Sequence, residues 1–281
     1  MNRNWSSLYL ASKHLPLAAQ QQAASALSDA LERQGYTAYD PFGALPGAAY
    51  TDAVKLFVAP TSDGWTRILS EPVVLPDWLL SALSRLGTAL WVALDAEALH
   101  VAVYADGQTL DPLDALAVYR RDDCNPDQLR HILAGECVDV PDEPESAQTA
   151  GIPLDALPPE MQTLAHNLNP RQVTGLFNKL MGRVTGRVDT DVDSARALLA
   201  GSGPAWNSNG GRCIRGLMAC LDMPQNWRTP DFITLRDAYQ LERRRQRLPD
   251  ATLYPGDAEA LAAVPNALDY IPVYAGRRES S

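Results

Sequence analysis

The stretch between Asp52 and Tyr104 constrains the fold of this chain more than any other part of the sequence. Apolar residues alternate with other residues along Val54–Val58. In the next segment Trp65, Arg67 and Leu69 fall on one side, and Thr66, Ile68 and Ser70 fall on the other. A repeat of two is typical of half-buried β-strands. The turn-forming run Ser62-Asp63-Gly64 separates these segments. The pattern therefore predicts a β-hairpin with a longer loop.

A helix and two further strands are predicted after this hairpin. Between Pro76 and Leu86 the apolar residues follow the i, i+3, i+4, i+7 spacing of an amphipathic helix. Pro76 suits the first turn, and Gly87 suits the position after the last turn. Ala89–Leu94 is continuously apolar, as a strand buried on both faces would be, and Leu99–Tyr104 follows a short connection.

The N-terminal residues complete the pattern of the first half. Leu8 and Leu10 belong to a short predicted strand, and a helix is predicted from Pro16 to about Gly35. The order is then strand, helix, strand, strand, helix, strand, strand. It is typical of a ferredoxin-like α+β sandwich with one added strand, in which helices cover one face of an antiparallel sheet. We therefore predict a ferredoxin-like α+β domain over residues 1–140.

The composition changes after this domain. Residues 141–157 are rich in proline and acidic residues and poor in large apolar residues, which is typical of a linker. From residue 158 to residue 281 the apolar spacing is helical almost throughout, most clearly after Asn169-Pro170. Further helices are predicted over Gly211–Leu221 and Thr229–Arg247, and the aromatic segment Tyr270–Tyr274 is expected to pack back as a strap. The sequence thus predicts two domains: an antiparallel sheet domain, followed by a mainly α-helical domain over 158–281.

The cysteines and the N-terminus bear on the cellular compartment. Cys124, Cys137, Cys213 and Cys220 are few and scattered for a disulfide framework in a chain of 281 residues, so we expect reduced, buried thiols. The N-terminus lacks an apolar core with a small-residue cleavage site, and no run approaches 18 apolar residues. We expect a soluble cytoplasmic protein without a membrane partner.

Charge is distributed unevenly along the chain. The formal net charge is −10, of which residues 1–150 contribute −11 and residues 151–281 contribute +1. Phosphate contacts dominate the affinity of proteins for nucleic acids, so the acidic half should repel them. Any contact with a polyanion would have to come from the second half.

Basic residues of the second half form the best candidate for a binding surface. Arg171, Lys179 and Arg183 recur at multiples of four and so lie roughly along one edge of a predicted helix. Such a row is able to follow phosphates, although it is equally explained by a solvated basic face. The candidate nucleic-acid-binding residues are Arg171, Lys179, Arg183, Arg187, Arg212, Arg215, Arg243, Arg244, Arg245 and Arg247.

Two other patterns are weaker. The glycine-rich runs Gly201–Gly203 and Asn209–Arg212 precede a predicted helix, where free backbone amides bind anions, but they lack the spacing of a phosphate-binding loop. Cys124, His131 and Cys137 bracket another predicted helix without the short Cys-x2–4-Cys unit of most zinc sites. We therefore predict neither a metal nor a cofactor.

No run in the sequence matches a common catalytic motif, and none of the four histidines adjoins a recognisable nucleophile. The first hypothesis is therefore a non-enzymatic protein-interaction or assembly subunit. The alternative is a nucleic-acid-associated protein that binds through residues 158–281. A second alternative is an enzyme whose site lies between the two domains, where clefts commonly form.

Overall fold

Eight antiparallel β-strands and seven α-helices make up the part of the chain that the computed structural model describes. The described residues are 5–12, 19–42, 50, 52–71, 74–95, 98–137, 140–141, 206–250 and 257–277. The strands are β1 (Trp5–Ala11), β2 (Thr37–Ala38), β3 (Asp52–Val58), β4 (Trp65–Glu71), β5 (Ala89–Asp95), β6 (Ala98–Ala105), β7 (Gln108–Leu110) and β8 (Ile271–Arg277). The helices are α1 (Ala19–Arg33), α2 (Asp77–Leu83), α3 (Pro112–Leu116), α4 (Pro126–Leu133), α5 (Asn209–Cys220), α6 (Phe232–Arg247) and α7 (Asp257–Ala263).

All eight strands join one sheet in the order β2-β8-β3-β4-β1-β5-β6-β7. The predicted hairpin is confirmed, since β3 pairs with β4 in a register that places Val58 opposite Ile68. β1 lies between β4 and β5 and pairs with both. The first half of the chain therefore supplies the centre of the sheet.

One face of the sheet is covered by α1 and α2. The predicted inward residues Ala24, Leu27 and Leu31 of α1 are buried, together with Leu79 and Leu83 of α2. They pack on the sheet residues that alternate toward this face, Leu8, Leu10, Leu56, Val58 and Ile68. Most of this core comes from the first half of the chain, and β8 adds Val273 and Ala275 from the end of the chain.

The opposite face is covered by two separate groups of apolar residues. We call the first the α5 cluster, which brings α4 and α5 onto the sheet and contains Trp5, Trp65, Leu90, Val92, Leu129, Ile132, Ile214 and Leu217. We call the second the α6 cluster, which contains Phe57, Leu69, Leu235, Tyr239, Val264 and Tyr274. Helices from the second half of the sequence therefore form a third layer on the sheet.

This arrangement does not confirm the two-domain description. β8 comes from the end of the chain and pairs with β3 along its whole length, from Asp52–Arg277 to Val58–Ile271. The Tyr270–Tyr274 segment, expected to be a strap, is largely part of this strand. The helices predicted around residues 211–221 and 229–247 are confirmed as α5 and α6. Residues 142–205 lie outside the described residues.

The expectation of reduced cysteines is wrong. Cys124 is bonded to Cys220, and Cys137 is bonded to Cys213, so each of the four cysteines belongs to a disulfide. Cys213 and Cys220 are two turns apart on α5 and project from one side of it. Cys124 and Cys137 flank α4 at its two ends. The bonds therefore fasten α4 and α5 to each other at both ends.

The local sequence carries no sign of this pairing. The bonded cysteines are 96 and 76 residues apart in the chain, although their Cα atoms lie 5.4 and 5.2 Å apart. Only the packing of α5 beside α4 brings them within reach. None of the helices described is long and apolar enough to cross a bilayer.

We expect the double substitution Cys137→Ser with Cys213→Ser to lower the free energy of unfolding by about 2–4 kcal/mol, because this disulfide closes a long loop in the unfolded chain. Urea unfolding measures the change. As a control, wild-type protein prepared without reductant and then denatured should show no thiols in a thiol assay. Four reactive thiols in that assay would contradict the assignment.

Candidate functional site

The candidate site lies where the α5 cluster and the α6 cluster fail to meet. Trp65, Arg67 and Leu69 alternate along β4 and face the same side of the sheet. Trp65 belongs to the α5 cluster and Leu69 to the α6 cluster. Arg67 lies between them, so a charged side chain occupies the seam between two apolar regions.

A cavity of about 250 Å³ opens above this seam. Its floor is buried and includes Arg67, Tyr9 and Trp65. Trp227 and Tyr270 are half-buried and form walls. The exposed rim is polar and comprises Thr61, Ser62, Asn226, Thr229, Asn266 and Asp269. A concave lining that combines aromatic side chains with convergent polar groups is typical of ligand sites.

The guanidinium of Arg67 is only partly satisfied by the protein. The side chain is 9% exposed. Its Nε donates to Ser7 Oγ at 2.8 Å, and one terminal nitrogen donates to the Asn226 carbonyl at 3.5 Å, which is long for such a bond. A guanidinium carries five N–H donors. No described ion pair includes Arg67, so donors remain for a ligand.

Burial changes the electrostatic environment of the Arg67 guanidinium. Desolvation lowers the pKa of Arg67 below its ordinary value, and the nearby Tyr9, Tyr270 and Asp231 act in the opposite direction. Arginine nevertheless keeps its proton in proteins because its ordinary pKa is so high. The floor of the cavity thus carries a positive charge that has lost most of its water. Such a charge is stabilised by an anion that replaces the lost hydration.

Two tyrosines next to Arg67 remain neutral hydrogen-bonding groups. Burial raises the pKa of Tyr9 and of Tyr270, and the charge of Arg67 lowers both pKa values to a smaller extent. The Tyr9 hydroxyl donates to the Trp227 carbonyl at 2.6 Å. This bond ties β1 to the connection between α5 and α6. The wall at Trp227 is therefore held in place without a ligand.

Aromatic packing also holds the Trp227 wall of the cavity in place. The rings of Trp5, Trp206 and Trp227 lie edge to face, with centroids 5.3–5.5 Å apart. The Arg228 guanidinium lies 5.3 Å from the Trp206 ring and 5.9 Å from the Trp227 ring. Such contacts stabilise by roughly 0.5–1.5 kcal/mol per pair. These contacts hold the Trp227 side chain of the cavity wall in a fixed position.

The basic residues predicted from the sequence divide into three groups. Arg171, Lys179, Arg183 and Arg187 lie outside the described residues. Arg212 and Arg215 are half-buried on α5. Arg243, Arg244, Arg245 and Arg247 occupy the end of α6. Because α5 and α6 belong to different clusters, the structure does not place the last two groups on one helix face.

Several of these arginines make contacts within the protein. Arg215 donates to the carbonyls of Trp206 and Pro141. Arg243 pairs with Asp40 and Arg245 pairs with Glu242, both at 3.2 Å. These contacts use part of the positive charge that a nucleic acid would need. Nucleic-acid binding through the full set stays a prediction.

The weaker patterns also have outcomes in the structure. Asn209–Arg212 begins α5, whose first turn is capped by Ser208. Cys124 and Cys137 are both in disulfides, so their sulfurs do not act as thiolate ligands beside His131. Within the described ranges no group of His, Cys, Asp and Glu has the arrangement of a metal site.

Arg67 is not among the candidate residues predicted from the sequence. The sequence does place this charge in one row with Trp65 and Leu69 on one side of a predicted strand. That charge was the available signal. Tyr9, Trp227 and Tyr270 carried no comparable signal, because aromatic residues are common in any core.

Comparison of the chain with models of protein families, with curated proteins and with solved structures found no match.

We expect Arg67→Met to leave the free energy of unfolding within about 1 kcal/mol of wild type, because replacing a buried charge with an apolar side chain of similar length removes a desolvation cost. Urea unfolding measures this. Arg243→Met, which removes a half-exposed arginine paired with Asp40, is the control for loss of one positive charge. A loss of 3 kcal/mol or more in Arg67→Met alone would assign Arg67 a purely structural role.

Proposed function

We propose that this protein is a non-enzymatic binding protein whose cavity holds the negatively charged group of a small ligand against Arg67. The observation that supports this proposal is the buried guanidinium on the cavity floor, with no carboxylate partner in the described part of the chain. Arginine binds carboxylates and phosphates through paired, charge-assisted N–H bonds. The ligand would supply the missing partner.

The character of the lining favours binding over catalysis. The described lining contains neither histidine nor cysteine. Its tyrosines have raised pKa values, which moves them further from the neutral range in which a general acid or base works best. The hypothesis of a protein-interaction or assembly subunit stays a prediction, and it shares with this proposal only recognition without chemistry.

The two disulfides support an oxidising compartment for this protein instead of the cytoplasm. Structural disulfides persist in secreted and periplasmic proteins and are rare in the cytosol, where thiols are kept reduced. The bonds join α4 to α5 beneath the α5 cluster, so the layer that forms one side of the cavity depends on them. The cysteine oxidation state in the native host tests this inference.

A ferredoxin-like core is also part of the proposal. The strand order β3-β4-β1-β5, antiparallel throughout, supports it, as does the position of α1 and α2 on a common face. In this description β2, β6, β7 and β8 extend the sheet at its two edges. The third layer formed by α4, α5, α6 and α7 is an addition to that core.

The binding proposal is tested by titrating the purified chain with sodium acetate, phosphate, sulfate and phenylacetate at constant ionic strength. Intrinsic tryptophan fluorescence reports binding, since Trp65 and Trp227 line the cavity. We expect a saturable change with at least one anion. Arg67→Met should weaken it at least tenfold, about 1.4 kcal/mol, because charge-assisted bonds are lost.

Arg243→Met serves again as the matched control and should bind as wild type does. The proposal fails if none of the four anions gives a saturable change with wild type. It also fails if Arg67→Met binds the anion as tightly as wild type.

A further inference from the structure

We propose that the ligand of the Arg67 cavity is an aromatic monocarboxylate, a flat ring system bearing a single carboxylate. This inference rests on the proposed function, because it names the chemical class of the anion that the cavity holds. Four features of the site carry it: the balance of charge, the aromatic walls, the size of the cavity and the polar rim.

The balance of charge favours one negative charge on the ligand. Arg67 is the only cation among the described residues that line the cavity. Asp269 stands at the rim, and Asp231 lies close enough to influence the pKa of Arg67. A dianion such as a phosphate monoester would meet one positive charge and additional negative ones. A carboxylate matches the guanidinium in both charge and shape.

The aromatic residues favour a ring next to the carboxylate. Tyr9, Trp65, Trp227 and Tyr270 line the cavity. Tyr9 and Trp65 are buried, so the rings that are open to a ligand are those of the half-buried Trp227 and Tyr270. Aromatic rings pack on one another in offset or edge-to-face arrangements and gain energy beyond the area they bury. An aliphatic acid would bury a similar charge but would use these walls less well. The site therefore selects for an aryl group.

The size of the cavity limits the ligand. A volume of 250 Å³ equals that of roughly eight water molecules at about 30 Å³ each. One ring or two fused rings with a carboxylate fit this space, whereas a nucleotide with its sugar and phosphate does not. The carboxylate would reach the buried floor and the ring would fill the middle of the cavity.

The rim offers hydrogen bonds to the outer end of such a ligand. Thr61 and Ser62 on one side, and Asn226, Thr229 and Asn266 on the other, are exposed and line the opening. They are uncharged and are able both to donate and to accept. A hydroxyl or ring N–H at the far end of the ligand would be satisfied there.

The test is isothermal titration calorimetry of the full, oxidised chain with four probes. Phenylacetate is the candidate, acetate has the charge without the ring, benzyl alcohol has the ring without the charge, and inorganic phosphate has a higher charge. We expect phenylacetate to bind at least tenfold more tightly than each of the others. The affinity for phenylacetate should fall at least tenfold in Arg67→Met.

A second variant separates the ring from the charge. Tyr270→Leu removes an aromatic wall of the cavity and should weaken phenylacetate binding by a several-fold larger factor than acetate binding. Tyr39→Leu is the matched control, since Tyr39 is also half-buried and packs on Tyr50 and Tyr274 instead of lining the cavity. It should bind phenylacetate as wild type does.

The outcomes distinguish this inference from the binding proposal. Equal affinities for phenylacetate and acetate, or tighter binding of phosphate, overturn the aromatic monocarboxylate. If that binding is still lost in Arg67→Met, the anion-binding function stands. If no anion binds, or if Arg67→Met makes no difference, both proposals fail together.

Discussion

Burial of the sheet on both faces is the constraint on which the rest of this structure depends. β1 and β4 lie at its centre, and their side chains are covered from one side by α1 and α2 and from the other by the α5 and α6 clusters. The backbone groups of both strands are satisfied within the sheet, while apolar burial supplies the main driving force. Burying a charged side chain on such a strand costs free energy, so the presence of Arg67 on β4 calls for an explanation.

The covering of the second face explains how the cavity arises. The two disulfides hold α5 against α4, and the chain then leaves α5 and crosses to α6 through residues 221–231. Trp227 packs against the α5 cluster and Phe232 against the α6 cluster. The connection from α5 to α6 therefore spans the seam between the two clusters without filling it. The hydrogen bond from the Tyr9 hydroxyl to the Trp227 carbonyl then fixes the position of the Trp227 wall relative to Arg67.

At the seam, apolar burial is set against the anion-binding role that we propose for Arg67. An apolar residue at position 67 would join the two clusters into one core and remove a buried charge. The sequence instead keeps a guanidinium with unused donors at the bottom of an aromatic cavity. Binding sites are commonly built from such costly positions, because the ligand completes the interactions that the protein leaves open.

The sequence by itself determined the local elements: the alternation around Val54–Val58 and Trp65–Leu69 specified the hairpin, and the helical spacing specified α1, α2, α5 and α6. Alternation also placed Arg67 on the same side as Trp65. Tertiary structure alone decided the strand order, the insertion of β8 beside β3, the disulfides and the cavity. The physical reason is separation along the chain. Local periodicity reports which face of an element is apolar. The partner of that face is chosen by packing between residues as far apart in the sequence as Tyr9 and Trp227.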